Sequence, residues 1–484
     1  MNNVLLPLIV FLYFGLLLAI AYFTSKNASS HSFFTGDKKS PWYLVAFGMI
    51  GTSLSGVTFV SVPGTVTANG FYYYQMVLGF FIGYFIVAYV LLPLYYKYNL
   101  SSIYRYLEYR LGFSAYKWGA GYFILSRTLG ATVRLYLVIN VLQLFVFDDV
   151  GIPFWLSTII IIAMIIAYTF RGGVKTIVWT DTLQTSCMLL GLVICVFYIL
   201  NQLHVGFFES LSTMADKGYT KIFFTEPSSK LFFVKQILAG AFVTITMTGM
   251  DQEMMQKNIS VKNLKDAQKN MITIGFTMLF VISLFLFLGG LLHLYAAQLN
   301  VTAVGDDLFP TLALQHMPPY LSIIFILALI SALFPSADGA ITALTSSFCI
   351  DILGLQRNKN LSEAEQKKIR QRTHLTFALI FLIMVMVFKW IDNKSTIDLL
   401  LKIASYTYGP LLGLFAFGIL TKRSLNNTLV PVICVLAPIL CLVLDYYQAQ
   451  LFGDFRIGQE LLIINGGITF IGLWLISRAN SEKN

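Results

Sequence analysis

The chain has 484 residues, of which 57% are apolar and 12% are charged, and its mean hydropathy is +0.74. Soluble domains carry about 25% charged residues, so this composition excludes a soluble globular protein and indicates a polytopic membrane protein. The net charge of +10 does not indicate a nucleic-acid partner, because most positive residues fall in loops on one predicted side of the bilayer. No polar linker separates the apolar segments, which predicts a single transmembrane domain over residues 1–484.

Thirteen apolar segments are predicted to cross the membrane as helices, which gives an all-α fold. They lie near residues 4–24, 42–67, 71–96, 115–147, 152–169, 174–201, 232–256, 268–298, 319–353, 372–392, 396–420, 427–448 and 459–478. The first has neither the basic start nor the cleavage site of a signal peptide, so we expect it to be retained as an extra N-terminal helix. The next ten form two sets of five, 42–201 and 232–420, and two C-terminal helices follow in 427–478.

The basic residues indicate how these helices are oriented. Most of the 33 Lys and Arg residues fall in alternate loops, which are the inner loops if the N-terminus is outside. Cytoplasmic loops carry an excess of Lys and Arg. We therefore expect a multi-pass protein of the plasma (inner) membrane, with the N-terminus outside and the C-terminus in the cytoplasm.

The stretch from Lys39 to Asn69 is apolar, yet its centre does not suit an uninterrupted helix. It is punctuated by glycines, hydroxyl side chains and a proline: Gly48, Gly51, Thr52, Ser53, Ser55, Gly56, Thr58, Ser61 and Pro63. Irregular backbone survives in a bilayer only where protein buries it or a wet cavity borders it. Freed carbonyls beside hydroxyl groups form a cage of oxygens that suits an alkali cation, and many secondary transporters build their sites on such broken helices.

A second interrupted segment, GAFVTITMTGMDQ over residues 240–252, opens the second set of five spans. Paired broken segments in two halves are typical of an inverted repeat, so the hydropathy and the breaks predict a five-plus-five inverted repeat. A third break is expected at Gly409-Pro410, either as a moving gate or as a static kink.

Two acidic residues lie inside predicted spans. Asp181 either lies in an early turn of its helix, where the helix dipole stabilises a negative charge, or pairs with a cation on a transport pathway. Asp338 lies in a segment where Ala332, Ser336 and Gly339 share one helix face. Small residues explain close helix packing by themselves, but Asp338 must face a partner or water, and this predicts a cation site.

Arg127 and Arg134 are seven residues apart in one span and therefore lie on one helix face. An arginine at membrane depth must be paired or must face a cavity. Two roles stay open: one arginine neutralises Asp181 or Asp338, or one holds a substrate carboxylate in a bidentate pair. Arg127 is the preferred substrate ligand, because Arg134 could anchor nearer an interface.

The third span opens with Tyr72, Tyr73, Tyr74 and Gln75. These residues form either an aromatic belt at the membrane interface or a gate that stacks on a sugar. For the second role Gln75 is the best hydrogen-bonding candidate.

Four segments together resemble the sodium:solute symporter family. They are SLSGVTFVSVPG (53–64), RGGVKTIVWTDTLQ (171–184), MDQEMMQKN (250–258) and SADGAITALTSSF (336–348). The resemblance covers nearly the whole chain. It implies thirteen or more helices, a five-plus-five inverted repeat and alternating access driven by the inward sodium gradient.

The resemblance also implies a sodium site between two helices. Its usual ligand positions are the first broken helix and the eighth core helix, here Gly51, Leu54, Ala332, Pro335 and Ser336. Pro335 stands where the family has a hydroxyl-bearing residue, so Asp338 is expected to supply the missing oxygen. Asp181 matches the acid that the family places near the sodium path.

For the substrate, the resemblance places three hydroxyl residues in the cavity lining. The family's sialic acid carriers use an arginine in the helix of Arg127, at the position of Gly130, about one turn from Arg127 and from Arg134. The predicted substrate site combines hydroxyl, aromatic, amide and guanidinium groups: Ser53, Ser55, Thr58, Tyr73, Gln75 and Arg127.

The sequence thus predicts a sodium-coupled importer of a small polar solute, which is a sugar, a sugar acid such as sialic acid, or a polyol. Its expected partners are the solute, sodium as the coupling ion and the lipid bilayer, with no other cofactor. The alternatives are a proton-coupled, amino-acid or carboxylate symporter of the same fold, and a channel or sensor. A channel would need a continuous polar stripe or a repeated filter sequence, and the sequence shows neither. A sensor would need a soluble signalling domain, which is not visible either. An enzyme is disfavoured, because no His cluster or Ser/His set occurs at membrane depth.

Overall fold

The computed structural model describes residues 5–25, 38–358, 360–391 and 396–479. Over these residues the chain is almost entirely helical. Helices follow from the apolar sequence, because a backbone surrounded by lipid must satisfy its N–H and C=O groups within the segment. The prediction of an all-α fold is confirmed for these residues, apart from two short strands.

Fifteen helices of eight or more residues form the described part of the chain. They are α1 (Leu5–Ser25), α2 (Trp42–Gly64), α3 (Tyr73–Ile86), α4 (Phe113–Leu142), α5 (Phe154–Leu203), α6 (Phe207–Asp216), α7 (Phe233–Thr244), α8 (Gln252–Ile259), α9 (Leu264–Leu299), α10 (Pro319–Ser347), α11 (Glu363–Ile391), α12 (Thr396–Thr407), α13 (Gly409–Leu420), α14 (Val430–Phe452) and α15 (Leu461–Leu475).

Shorter elements extend or connect these helices. The short α-helices are Val66–Asn69, Leu92–Lys97, Arg105–Leu111 and Leu308–Thr311. Single π-helical turns are Val87–Leu91, Gln143–Phe147, Ile245–Gly249, Leu312–His316 and Phe348–Ile352, and 3-10 turns are Asp148–Val150 and Gly305–Asp307. Two short antiparallel strands, β1 (Ser424–Leu425) and β2 (Ser477–Arg478), pair with Ser424 opposite Arg478.

Within the described ranges, eight helices are long and apolar enough to cross a membrane, and up to ten spans result if each of two bent pairs counts as one. One pair is α7, with its π-helical extension, and α8, which are bent by 63°; the other is α12 and α13, bent by 47°. Three shorter apolar helices lie at Leu8–Thr24, Phe154–Phe170 and Leu461–Leu475. Every predicted span coincides with one of these apolar helices, while the crossing of the membrane by all thirteen stays a prediction.

Backbone breaks fall at the predicted places. In α2 the helix is interrupted at Ser55, whose φ of 51° and ψ of 167° are non-helical. The bend between α12 and α13 lies at Tyr408, next to the predicted Gly409-Pro410 break. In α5 two predicted spans meet at Gly173, with φ 58° and ψ −156°, so the expected loop is reduced to one non-helical residue. Glycine adopts a positive φ without the steric cost that a side chain brings.

The core of the bundle is built around α2 and α10. Within the most apolar 18-residue stretch of α2, 89% of the residues are buried. The corresponding share is 78% in α10 with its π-helical extension and 22% in α14. A helix that is apolar and also buried on all sides packs against other helices, whereas α14 leaves most of its surface for lipid. These two helices, which carry every predicted sodium ligand except Asp181, thus have the most buried stretches among the eight single-helix spans.

The crossing of α3 and α7 is a close contact between helices at which glycine is required on both sides. A Cβ atom on Gly79 would lie 2.1 Å from the carbonyl oxygen of Ile237, and one on Gly240 would lie 2.2 Å from that of Met76. Small residues let helix backbones approach closely in membranes. Any side chain at either position must push the two helices apart.

We expect Gly79→Ala and Gly240→Ala to destabilise the fold by about 1–3 kcal/mol each, the usual cost of overpacking. The measurement is thermal unfolding of the purified protein in detergent. Gly121→Ala in α4 is the matched control, because nothing lies within 4 Å of a Cβ at that position. Equal stability of the Gly240→Ala and Gly121→Ala variants would contradict the tight crossing.

Candidate functional site

The break in α2 is the first component of the site. Ser55 is buried and has a positive φ, which is uncommon for a residue other than glycine and is concentrated at functional sites. The interruption ends the regular ladder of helical hydrogen bonds, so carbonyl groups of the preceding turn lack their usual amide partners. Gly51 and Leu54, the two predicted backbone ligands, lie in this turn.

α10 packs against the break. A Cβ atom on Gly56 would lie 3.9 Å from the amide nitrogen of Leu333, so the two backbones are near neighbours. Leu333 follows Ala332 directly, and its carbonyl oxygen accepts a 2.8 Å hydrogen bond from the hydroxyl of Ser336. The structure therefore brings the break in α2 beside the turn of α10 that carries Ala332 and Ser336, two of the three predicted ligands of that helix.

Pro335 changes the same turn of α10. It lies inside the helix and has no N–H, so it cannot bond the carbonyl of Ser331 four residues earlier. The side chain of Ser331 is held elsewhere, because its hydroxyl lies 2.6 Å from that of Tyr13 in α1. Pro335 thus removes one possible hydroxyl ligand and leaves a backbone oxygen available in its place.

Asp338 lies one turn further along α10 and is fully buried. Its Oδ2 accepts a 2.6 Å hydrogen bond from the hydroxyl of Tyr168 in α5, and its Oδ1 accepts the N–H of Gly339. Neither partner carries a positive charge. The carboxyl group is therefore positioned by neutral donors and keeps lone pairs for a cation.

Asp181 in α5 differs from Asp338, because one of its partners is a positively charged lysine. The Nζ atom of Lys257 in α8 lies 2.7 Å from its Oδ2, and the hydroxyl of Thr52 lies 3.3 Å from the same oxygen. Lys257 also lies 2.7 Å from Thr52 Oγ1 and 3.5 Å from Glu253 Oε1. The sequence predicts Asp181 as a sodium ligand, whereas the structure places a protein cation against it.

Arg127 is likewise paired with acids of α8 and its N-cap. Its guanidinium forms an ion pair with Glu253 and lies 4.0 Å from Asp251, which in turn accepts a 2.9 Å hydrogen bond from Tyr408. All four groups are buried. This surrounds Arg127 with negative charge from the protein itself, so the predicted role as a substrate ligand is not the one that its contacts favour.

Arg134, two turns further along α4, is the arginine without such a partner. It is 7% exposed, its Nε has no hydrogen-bond partner, and no described carboxylate lies within 4.0 Å of its guanidinium. It lines the same internal cavity as five of the six predicted substrate residues, which are Ser53, Ser55, Thr58, Tyr73 and Arg127. Apolar side chains of α7, α8, α9 and α12 and the hydroxyls of Thr52, Thr244 and Thr248 also belong to the lining.

Gln75 lies outside this cavity. Its amide donates to the carbonyl oxygens of Tyr72 and Leu231 and accepts the N–H of Phe224. The side chain is fully buried and holds the segment that follows α6 against α3. Its contacts are those of a structural residue, in contrast to the predicted contact with substrate.

The sequence reasoning missed Glu253 and Lys257, because MDQEMMQKN was assigned to a span end and an inner loop. The structure makes these residues α8, an eight-residue helix whose side chains are all buried. Glu253 and Lys257 are four residues apart, the spacing of a helical ion pair. That spacing, beside an aspartate at the helix N-cap, is the signal that could have indicated a buried charged helix.

Comparisons with known proteins agree with this architecture. The model of the sodium:solute symporter family matches residues 33–428. The sodium/sialic acid symporter NanT of Aliivibrio fischeri is 24% identical to this chain, and the alignment covers 95% of this chain and 92% of NanT. The sodium/sialic acid symporter SiaT of Proteus mirabilis is also 24% identical, and the alignment covers 94% of this chain and 92% of SiaT.

Solved structures share the fold. A Na⁺-coupled sialic acid symporter in a substrate-bound outward-open state matches with a TM-score of 0.83 at 20% identity over 97% of each chain. Mhp1, a nucleobase-cation-symport-1 family transporter, matches with a TM-score of 0.51 at 12% identity over 91% of this chain and 93% of its own.

The Arg127–Glu253 pair generates a prediction. Glu253→Gln should lower the free energy of unfolding by about 3–5 kcal/mol, because it leaves a buried guanidinium without its closest carboxylate. Arg127→Met combined with Glu253→Gln should restore most of that loss. The measurement is thermal or denaturant unfolding in detergent.

The exposed pair of Arg357 and Glu108, 2.6 Å apart, is the control. Glu108→Gln should change stability by about 0–1 kcal/mol, as surface ion pairs do. An equal, small effect of Glu253→Gln would show that Arg127 does not depend on that carboxylate.

Proposed function

Because the chain belongs to the sodium:solute symporter family, we propose that its sodium-coupled transport of a small polar solute is uptake of a carboxylate-bearing sugar such as a sialic acid. One observation carries this choice, namely the buried guanidinium of Arg134 on the cavity wall. Neutral sugars and polyols, which share the hydroxyl groups, offer nothing to neutralise this charge.

Burial without an anion makes Arg134 costly. A charge removed from water costs several kcal/mol unless a counter-charge and hydrogen bonds offset it, and no carboxylate of the described residues lies within 4.0 Å of the Arg134 guanidinium. A substrate carboxylate fits the planar fork of a guanidinium through two parallel hydrogen bonds. The sialic acid symporters among the relatives support the same choice of solute.

The remaining cavity groups suit a sugar. Ser53, Ser55 and Thr58 bring hydroxyls that donate to and accept from sugar hydroxyls, and the ring of Tyr73 offers an apolar face. Arg127 belongs to this lining, but its charge is directed at Glu253 and Asp251. We therefore assign the substrate carboxylate to Arg134 rather than to Arg127, and we leave Gln75 out of the substrate site.

For sodium we propose a site between the break in α2 and the central turns of α10. Its ligands are carbonyl oxygens, a hydroxyl and a carboxylate: Gly51, Leu54, Ala332, Ser336 and Asp338. Oxygen ligands of this kind suit a hard cation. Asp181 is omitted, because its Oδ2 already contacts the ammonium group of Lys257.

The transport cycle follows from this arrangement. Thirteen membrane-crossing helices with a five-plus-five inverted repeat, the N-terminus outside and the C-terminus in the cytoplasm would rock around the fixed central site. Sodium binds first, orders the break at Ser55 and thereby completes the cavity beside it. Coupling then arises because sodium and substrate each bind better to the state that the other stabilises.

Arg134→Met is expected to raise the KM for a sialic acid about 10- to 100-fold, because a charged hydrogen-bonded pair is lost. Uptake into proteoliposomes under an inward sodium gradient is the measurement. The KM of Arg134→Lys should lie between those of wild type and Arg134→Met, since lysine keeps the charge but not the bidentate geometry.

The control compares the sugar acid with its carboxamide, which lacks the charge. Wild type should strongly prefer the acid, and Arg134→Met should lose the preference. A variant that still prefers the acid would exclude Arg134 as its ligand, whereas wild-type uptake that ignores sodium and follows a proton gradient would favour the proton-coupled alternative.

A further inference from the structure

The N-terminal helix α1 packs on the bundle with one face. Tyr13, Phe14, Leu17 and Ala21 are buried, whereas Phe11 on the other side of the helix is 66% exposed. The buried positions recur every three to four residues, which is the pattern of a helix with one face on protein and the other in lipid. The buried face includes the phenol hydroxyl of Tyr13, and a buried hydroxyl needs a hydrogen-bond partner.

That hydroxyl reaches α10. The Oη atom of Tyr13 lies 2.6 Å from the Oγ atom of Ser331, which is fully buried. Serine in a helix commonly donates to a carbonyl of the preceding turn, as Ser336 does to Leu333, but the Ser331 hydroxyl is held from another helix. The thiol of Cys187 in α5 is its other neighbour, and a thiol is a weak hydrogen-bonding group.

Ser331 begins the turn of α10 that is least supported by its own backbone. The helical partner of its carbonyl oxygen would be the N–H of residue 335, and Pro335 has none. A turn without its hydrogen bond bends more easily than an intact one. Ala332, whose carbonyl is a proposed sodium ligand, is the next residue. The position of this ligand therefore depends on what holds Ser331.

A second contact of α1 supports the same part of α10. The ring of Phe14 meets the ring of Tyr168 in α5 edge to face, with centroids 6.1 Å apart. Tyr168 packs in turn against Phe334, at 6.1 Å between centroids, and donates a 2.6 Å hydrogen bond to Asp338. Neighbouring residues of α1 thus reach α10 directly and through one intervening tyrosine.

We propose that Tyr13 is a positioning residue for the sodium site, which it serves by holding Ser331 and, with it, the carbonyl of Ala332. This inference rests on the proposed sodium site between α2 and α10. Ligands that are already in place bind without a further cost of ordering them. The helix outside the two sets of five spans therefore contributes to sodium affinity without supplying a ligand.

The test removes one hydroxyl. Tyr13→Phe should raise the sodium concentration for half-maximal uptake into proteoliposomes about 3- to 10-fold, the factor that the loss of one hydrogen bond supplies. The KM for the solute and the maximal rate at saturating sodium should stay near those of wild type, because the completed site is the same. Ser331→Ala should have a similar effect, and the double variant should add little, since both changes remove one shared hydrogen bond.

Thr24→Val is the matched control. The hydroxyl of Thr24 lies 2.9 Å from that of Thr176, so this pair also joins α1 to another helix. Its loss should leave the sodium dependence of uptake unchanged. The sodium dependence of thermal unfolding of each purified variant gives a second measure of affinity that does not require transport, because an ion that binds only the folded state stabilises it by mass action.

Two results overturn the inference. One is a sodium dependence of Tyr13→Phe that equals that of wild type in both measurements. The other is an equal shift in Tyr13→Phe and Thr24→Val, which would mean that any loss of α1 packing weakens sodium binding. Uptake by the wild type that does not depend on sodium would instead reject the proposed function.

Discussion

An interrupted helix at membrane depth is the constraint that organises this protein. At Ser55 the backbone of α2 leaves the helical conformation although α2 has the most buried apolar stretch of the eight single-helix spans. Lipid cannot accept or donate hydrogen bonds, so the released groups must be met by protein, water or an ion. α10 lies against the break and carries a proline, a hydroxyl and a carboxyl group within one turn, at Pro335, Ser336 and Asp338. This one juxtaposition explains why small and polar residues cluster in two otherwise apolar helices.

Charge neutralisation is the second organising feature, and α8 provides most of it. Three buried contacts join α8 and its N-cap to other helices. Glu253 pairs with Arg127 of α4, and Lys257 pairs with Asp181 of α5. The N-cap Asp251 accepts a hydrogen bond from Tyr408 at the start of α13. Buried pairs add little net stability but are costly to break. Such a network therefore holds the broken helices in register, and it leaves Arg134 as the charge that a bound solute can satisfy.

Much of this architecture could be predicted from the sequence, because its signals are local. Apolar length gives the helices, and glycine, serine and proline within an apolar run give the breaks at Ser55 and at the start of α8. Asp338 and the two arginines stand out because charges are rare at membrane depth. Ser53, Ser55, Thr58 and Tyr73 do line the cavity.

The partners of these residues could not be predicted, because they depend on tertiary packing. Arg127 and Arg134 share a helix face and both line the cavity, and only the approach of α8 decides that Arg127 is paired with a carboxylate while Arg134 is not. Asp181 is predicted as a sodium ligand because it is an acid at membrane depth and because it matches the family's acid near the sodium path, and neither signal reveals that Lys257 reaches it. Gln75 has the chemistry of a ligand, but neighbouring backbone groups use it.

We propose that the break in α2 and the middle of α10 enclose a sodium ion. The most direct measurement compares cryo-electron microscopy maps of the protein in sodium and in N-methylglucamine, a cation too large for the site. A sodium-dependent density between the α2 carbonyls and the hydroxyl of Ser336 is the expected result. Maps that agree at this position, or a sodium-dependent density only elsewhere in the bundle, would contradict the claim.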